Sequence, residues 1–295
     1  MLEFSRNKRD IMKIQTMSVV VGDYACNANC PFCIAKITPN ANLVRKDINW
    51  RNFKHASRLA VISGATTVLL TGKGEPTLYP DIITSYLGHL MEFEFPFVEL
   101  QTNGIRLITP NMQSSLENWY KNDLTTICLS AVHFDQKMNQ SIYSPDYPKI
   151  EELVKILHGI GFTVRLSIMM IKEYIDSWDK VCKLVDFCKE NKIKQITIRP
   201  IVAPTNFYDN NVSKWTKENA PDEWVIRHIN YNLETMATPI LKLSHGATVY
   251  DFRGQNICMS NCLTTNETDE DIRQIIFYPD GTISYDWKFN GAILL

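Results

Sequence analysis

The chain has 295 residues, 45% of them hydrophobic, and its 31 Lys and Arg against 32 Asp and Glu give a formal net charge of −1. That length and apolar content suffice to bury a sizeable core in one large domain or a domain with an appendage, which excludes a disordered tail or a small disulfide-stapled module. The charge balance gives no general pull toward nucleic acid or an anionic membrane, and no solenoid repeat or low-complexity tract interrupts the chain.

In chain order, Met1 to Ile14 carries Arg6, Lys8, Arg9 and Lys13 with no apolar signal-peptide core behind them. The run Met17 to Val21 is far too short to span a bilayer. The expectation is a soluble, cytoplasmic protein whose thiols stay reduced. Residues 1–16 read as an N-terminal extension, 17–203 as the core and 204–295 as a C-terminal substrate-capping extension.

The first predicted strand, Met17 to Asp23, runs into Cys26-Asn-Ala-Asn-Cys30-Pro-Phe-Cys33. A structural zinc site needs four closed ligands, commonly as paired CxxC units, and no second pair lies nearby. A cubane iron-sulfur cluster has four irons, so a loop with three cysteines can hold three of them and present the fourth to a chelating small molecule.

Further strands are predicted at Thr67 to Thr71, Phe97 to Thr102, Thr126 to Ser130, Thr163 to Ile171 and Gln195 to Pro200. Between them, helical periodicity covers Arg51 to Ile62, Tyr79 to Met91, Asn111 to Lys121, Asp146 to His158 and Ser177 to Asn191. In the last of these, Trp178, Val181, Cys182, Val185 and Cys188 share one face, and Ser177 can cap the start. Cys182, Cys188 and the strand residue Cys128 are therefore expected to pack as small hydrophobes.

Alternating strand and helix predict an α/β fold, a partial (β/α)6 barrel of TIM type with parallel strands, followed by a small α+β C-terminal extension. Chemistry in such barrels sits on loops after the strand carboxyl ends. The three-cysteine loop, Gly72-Lys-Gly74-Glu75-Pro76, Gln101-Thr-Asn103-Gly104 and Ser130 all occupy such positions.

The stretches CNANCPFC, TGKGEPTL, VELQTNG, ICLSAVHF and VRLSIMM occur in that order between Met17 and Pro200. In them the chain resembles a radical S-adenosylmethionine enzyme. The resemblance implies a 4Fe-4S cluster on Cys26, Cys30 and Cys33, with S-adenosylmethionine on the fourth iron. It also implies Phe32 beside the adenine, Gly74 and Glu75 around the amino group, and Ser130 and Arg165 at the ribose and methionyl carboxylate. Asn103 either touches the cofactor or shapes its turn, and for Arg165 an ion pair with a barrel carboxylate is the competing role. His133, just beyond the fourth strand, reads as a hydrogen-bonded structural histidine.

Beyond Pro200, Ala220 to Thr235 reads as a helix and Ala247 to Arg253 as a strand. Gln274 to Tyr278 and Thr282 to Trp287 read as a hairpin around Pro279-Asp280-Gly281. The hairpin resembles those of twitch and SPASM extensions, but Asp286 stands where a cluster-binding cysteine would fall. Cys258 and Cys262 are then ordinary thiols, ligands of a possible second iron-sulfur cluster, or hydrogen donors to a substrate radical.

The function implied is reductive cleavage of S-adenosylmethionine to a 5′-deoxyadenosyl radical that abstracts hydrogen from a peptide or nucleotide-like substrate. An external one-electron donor such as flavodoxin or ferredoxin is implied, since no flavin or nicotinamide fingerprint is present. The alternative is a non-catalytic iron-sulfur or zinc protein that senses redox state or binds a partner.

Overall fold

The structure is a computed structural model that describes residues 13–38, 43, 47–202, 210–243, 246–260 and 271–295, and the statements that follow refer to these. From the N-terminal side the elements are β1 (Lys13–Val20), α1 (Trp50–Ile62), β2 (Thr67–Thr71), α2 (Pro80–Leu90), β3 (Phe97–Thr102) and α3 (Gln113–Lys121). They continue with β4 (Thr126–Ala131), α4 (Gln136–Ile142), α5 (Ile150–Ile160), β5 (Thr163–Met170), α6 (Trp178–Glu190) and β6 (Gln195–Pro200). The remainder comprises α7 (Asn210–Asn219), α8 (Glu223–Met236), β7 (Thr238–Lys242), β8 (Thr248–Phe252), β9 (Gln255–Met259), β10 (Asp271–Phe277) and β11 (Ile283–Ser284).

The six strands read from the sequence lie side by side, β1 to β6, each parallel to the next. Two strands of the C-terminal segment extend this parallel run at opposite edges, β10 beside β1 and β9 beside β6. Antiparallel β11, β8 and β7 complete an open eleven-stranded sheet. The α/β, mostly parallel character is as expected, with more strands than the sequence disclosed. β1 also starts earlier, at Lys13.

Parallel neighbours require crossovers, and the helices supply them by burying one face each on the outside of the sheet. Phe53, Ala56 and Ala60 do so from α1, Leu153, Val154 and Leu157 from α5, and Val181, Leu184, Val185 and Cys188 from α6. Side-chain oxygens start three helices: Asn49 accepts from Asn52 N at 3.0 Å, Asp135 from Met138 N at 3.1 Å and Ser177 from Lys180 N at 3.4 Å.

Strand side chains alternate between this buried outer layer and the concave lumen. In β5, Val164, Leu166, Ile168 and Met170 are buried outward, and Arg165, Ser167 and Met169 occupy the partly open inner face. Register carries the inner face across the sheet, pairing Cys128 with Arg165, Ser130 with Ser167, Ser167 with Thr197, and Thr197 with Cys258. Cys128 is buried in β4 as expected, on the inner face opposite Arg165. Cys188 lies in the helix-packed core as expected, and Cys182 is half-buried against it.

The predicted C-terminal helix, strand and hairpin correspond to α8, β8 and the β10–β11 pair, in which Phe277 faces Ile283. No helix among the described residues is long and apolar enough to cross a membrane.

Candidate functional site

The loop after β1 carries Cys26, Cys30 and Cys33 at the carboxyl rim of the sheet. Its turns are tied locally, with Ala25 N donating to Asp23 Oδ1 at 2.8 Å, Ala28 N approaching Cys26 Sγ at 3.4 Å and Cys33 N donating to Cys30 O at 3.3 Å. Two neighbouring segments hold it in place. Asn29 N donates to Tyr143 O at 2.8 Å just past α4, and Glu75 N donates to Ala25 O at 2.9 Å.

Gly74 explains how the second rim loop comes so close. A Cβ there would collide with Ala25 O and approach Asp23 O at 2.7 Å, so only glycine lets the loop after β2 lie on the cysteine loop's backbone. The missing side chain is thereby accounted for by loop packing.

Glu75 is fully buried and joins two loops. Its Oε1 accepts from Thr77 N at 3.0 Å, Thr77 Oγ1 at 2.7 Å and Thr102 Oγ1 at 2.6 Å, and its Oε2 accepts from Asn103 N at 2.9 Å. Burial outweighs these four donors and pushes the carboxyl pKa up. Asn103, fixed by that contact, reaches back to the cysteines: its Nδ2 donates to Asn27 Oδ1 at 2.7 Å and lies 3.9 Å from Cys26 Sγ. Of the two roles considered for Asn103, the turn-shaping one is visible, since its Oδ1 accepts from Ile105 N at 3.0 Å.

Two of the cysteines, Cys26 and Cys30, are less acidic than a free thiol. Burial raises the Cys30 thiol to about 12, with Cys33 and Cys26 adding to the effect, and burial followed by Glu75 and Cys33 raises Cys26. A cationic partner bound at this loop would favour the thiolate forms of Cys26 and Cys30 that burial opposes. Among the described residues no three His, Cys, Asp or Glu side chains converge on a single-ion site. A cubane binds each thiolate through a different iron, so the donor set fits a cluster without such convergence.

Lys73, in the glycine loop, is a site residue that sequence reading passed over. It is buried, donates to Thr38 Oγ1 at 2.7 Å, lies 5.7 Å from the Trp287 ring centroid and faces Cys33. Burial lowers its pKa to about 8, with Cys33 acting in the opposite direction. The polar Lys between two glycines was the available signal.

Phe32 lies between two aromatic rings, edge-on to Tyr143 at 6.2 Å and tilted to Trp215 of α7 at 6.1 Å. Ser130 faces the lumen, and its carbonyl accepts from Tyr147 Oη at 2.9 Å. Asn139 of α4, fully buried, accepts from Val132 N at 2.9 Å and donates to His133 O at 2.7 Å, which sets the loop after β4. The helix bearing it was not predicted, although Asp135 is an N-cap residue in the right place. His133 Nδ1 accepts from Asp135 N at 2.9 Å, the structural role anticipated for it.

Arg165 makes the ion pair considered as its competing role. Its Nη1 donates to Glu99 Oε2 at 2.7 Å and its Nη2 to Thr197 Oγ1 at 2.8 Å. Cys258 lines the same lumen, where burial raises its pKa against the opposing pull of Arg199 and Arg165. Cys262 lies outside the described residues. Asp286 accepts from Lys288 N at 2.6 Å and thereby closes a turn after β11.

The model of the Radical SAM superfamily matches residues 23–185, which is more than half of the 295 residues. Proteins named UPF0026 from two strains of Helicobacter pylori are 25% and 24% identical over 201 and 203 residues. The match takes in 62% of this chain and 60% of theirs, so the chain spans about three-fifths of the length of these curated relatives. In fold it is similar to SuiB of Streptococcus suis bound to S-adenosylmethionine, with a TM-score of 0.61 at 20% identity over 94% of this chain and 61% of that one. SuiB bound to the precursor peptide SuiA gives 0.56 at 20% identity over 93% and 60%. For anSMEcpe with bound AdoMet the TM-score is 0.54 at 13% identity over 94% and 75%. With a partial parallel barrel, a CxxxCxxC loop at its rim and a family match across that region, the chain belongs to the radical SAM superfamily.

Proposed function

We propose that this protein reductively cleaves S-adenosylmethionine and uses the product radical to abstract hydrogen from a substrate held in the barrel lumen. The observation that carries the reading is the bracing of the three-cysteine loop by Gly74, Glu75 and Asn103 at the rim above an open, polar lumen. A 4Fe-4S cluster on Cys26, Cys30 and Cys33, with S-adenosylmethionine on its fourth iron, would supply one electron to the sulfonium and yield methionine and a 5′-deoxyadenosyl radical. Flavodoxin or ferredoxin would provide that electron from outside.

The chain's own residues position and shield. Glu75 holds Asn103 against the cysteine loop, and Phe32 offers an aromatic face for the adenine. Ser130, on the lumen face of β4, would meet the ribose, and Arg165, polarised but not saturated by Glu99 and Thr197, has donors left for the methionyl carboxylate. Cys258 lies on the lumen face of β9 and would return a hydrogen atom to a substrate radical, with Cys262 a second thiol close in sequence. A second cluster would require Cys258 as a ligand, and iron counting decides between those roles. The substrate is a peptide or a nucleotide-like metabolite. The similar fold of SuiB, bound to a precursor peptide, supports the peptide.

Anaerobic reconstitution followed by iron and sulfide analysis tests the reading. About four irons per chain, lost when Cys26, Cys30 and Cys33 are replaced by Ala, is the expected result. Iron retained by the triple variant would overturn it. A cluster that forms but never binds S-adenosylmethionine would favour the non-catalytic redox or binding role.

A further inference from the structure

The lumen contains a cation that no group among the described residues balances. On the inner faces of β1 to β6 and β9 the charged side chains are Glu99, Arg165 and Arg199. Glu99 is committed to Arg165 at 2.7 Å. Arg199 has no hydrogen-bond or ion-pair partner among the described residues, and its Nε is sealed from solvent without an acceptor. A guanidinium whose Nε is shut off from water without an acceptor is incompletely satisfied, and an anion arriving from outside would complete it.

Its height in the barrel identifies which anion. Arg199 pairs in register with Met169, one inner-face position above the level shared by Ser130, Ser167 and Thr197 and two above Arg165. It therefore sits toward the carboxyl rim, on a strand separated from the cysteine-bearing β1 by four others. Cys258, on the adjacent β9, is close enough for Arg199 to lower its pKa. The cation thus stands on the substrate side of the lumen, next to the thiol and across the sheet from the cysteine loop.

We infer that Arg199 is a specificity-determining residue that binds an anionic group of the substrate, a carboxylate or a phosphate. This rests on the reading of the lumen as the reaction chamber and names the class of substrate it takes. A planar guanidinium offers either group two parallel hydrogen bonds, and the low dielectric around Nε strengthens them. Substrates without an anion would leave the guanidinium unpaired and be rejected.

The test uses the cluster-loaded protein titrated calorimetrically with pyrophosphate and with succinate at constant ionic strength, alongside separate titrations with S-adenosylmethionine. Wild type is expected to bind at least one of the two anions saturably in the millimolar range. Arg199→Gln should weaken that binding by about tenfold or more, and Arg199→Lys by less, with S-adenosylmethionine affinity unchanged in both. Preference for pyrophosphate assigns a phosphate, and preference for succinate a carboxylate. Equal anion binding by wild type and Arg199→Gln, or none by either, overturns the inference. A parallel loss of S-adenosylmethionine affinity in Arg199→Gln also overturns it, because the guanidinium would then serve the cofactor. If wild type binds no S-adenosylmethionine but its anion binding still depends on Arg199, the proposed function fails and the anion site stands.

Discussion

Replacing Glu75 by Gln tests whether the rim loops are held by a carboxylate. The side chains are the same size, but Gln has one acceptor oxygen, and Glu75 uses Oε1 for three donors and Oε2 for Asn103 N. The better orientation keeps oxygen on the three donors and turns the amide NH2 toward Asn103 N–H. One buried donor then loses its acceptor, at a cost of about 2 kcal/mol. Unfolding entropy scaled to this chain length converts that to a fall in Tm of about 3 °C. The opposing effect is relief from burying a charge, the same burial that pushes the Glu75 carboxyl pKa up. Glu75→Ala strands two backbone N–H groups, Thr77 and Asn103, and should lower Tm further, by about 3–10 °C. Anaerobic thermal denaturation of the cluster-loaded protein, with released iron monitored in parallel, measures both effects. Because Asn103 reaches Cys26 and Asn27, both variants should also lose iron faster. A Glu75→Gln protein as stable as wild type, or more so, would refute the bracing role.

Phe32→Leu keeps apolar bulk but removes the aromatic face, so S-adenosylmethionine affinity should fall by about fivefold, and an unchanged Kd would remove Phe32 from the cofactor site. Cys258→Ala should leave iron at about four per chain with 5′-deoxyadenosine still formed, whereas a loss of about four irons would reveal a second cluster. Alkaline pH should destabilise the fold through Cys128, whose thiol is held up at about 12 from an ordinary 9.0 by burial. Above pH 9 the unfolded thiol gives up a proton that the folded one keeps, so the stabilisation present below pH 9 is lost toward pH 12, at about 1.4 kcal/mol per pH unit. Cys128→Ala should flatten denaturant midpoints over that range, and an equally steep fall in the variant would assign the effect elsewhere.

Much of this molecule was legible in its sequence because its inner strands are short aliphatic runs and its rim motifs follow them directly. Thr67–Thr71, Phe97–Thr102 and Gln195–Pro200 have the bounds that their β-branched and apolar content suggested. What escaped detection depends on distant partners. β7 is exposed along its whole length and carries Pro239, so it lacks an alternating pattern and forms only by pairing with β8. β9 acquires its meaning from parallel pairing with β6, whose register partners lie 61 positions earlier, a contact that no local window contains. The face of β4 that lines the lumen was unreadable for a related reason, since both faces are largely buried and an apolar run does not say which of them carries Cys128. At the site, the cysteine spacing and the Gly-Glu pair were readable, whereas the pairing of Arg165 with Glu99, across the intervening β4, and the lack of a partner for Arg199 among the described residues emerge only once the strands are assembled into the sheet.

The most direct test of the account is chemical. Reduced, cluster-loaded protein mixed anaerobically with S-adenosylmethionine should release 5′-deoxyadenosine and methionine in equal amounts, and the protein lacking Cys26, Cys30 and Cys33 should release neither. Bound S-adenosylmethionine that stays intact beside a reduced cluster, or cleavage that survives loss of all three thiols, would contradict it.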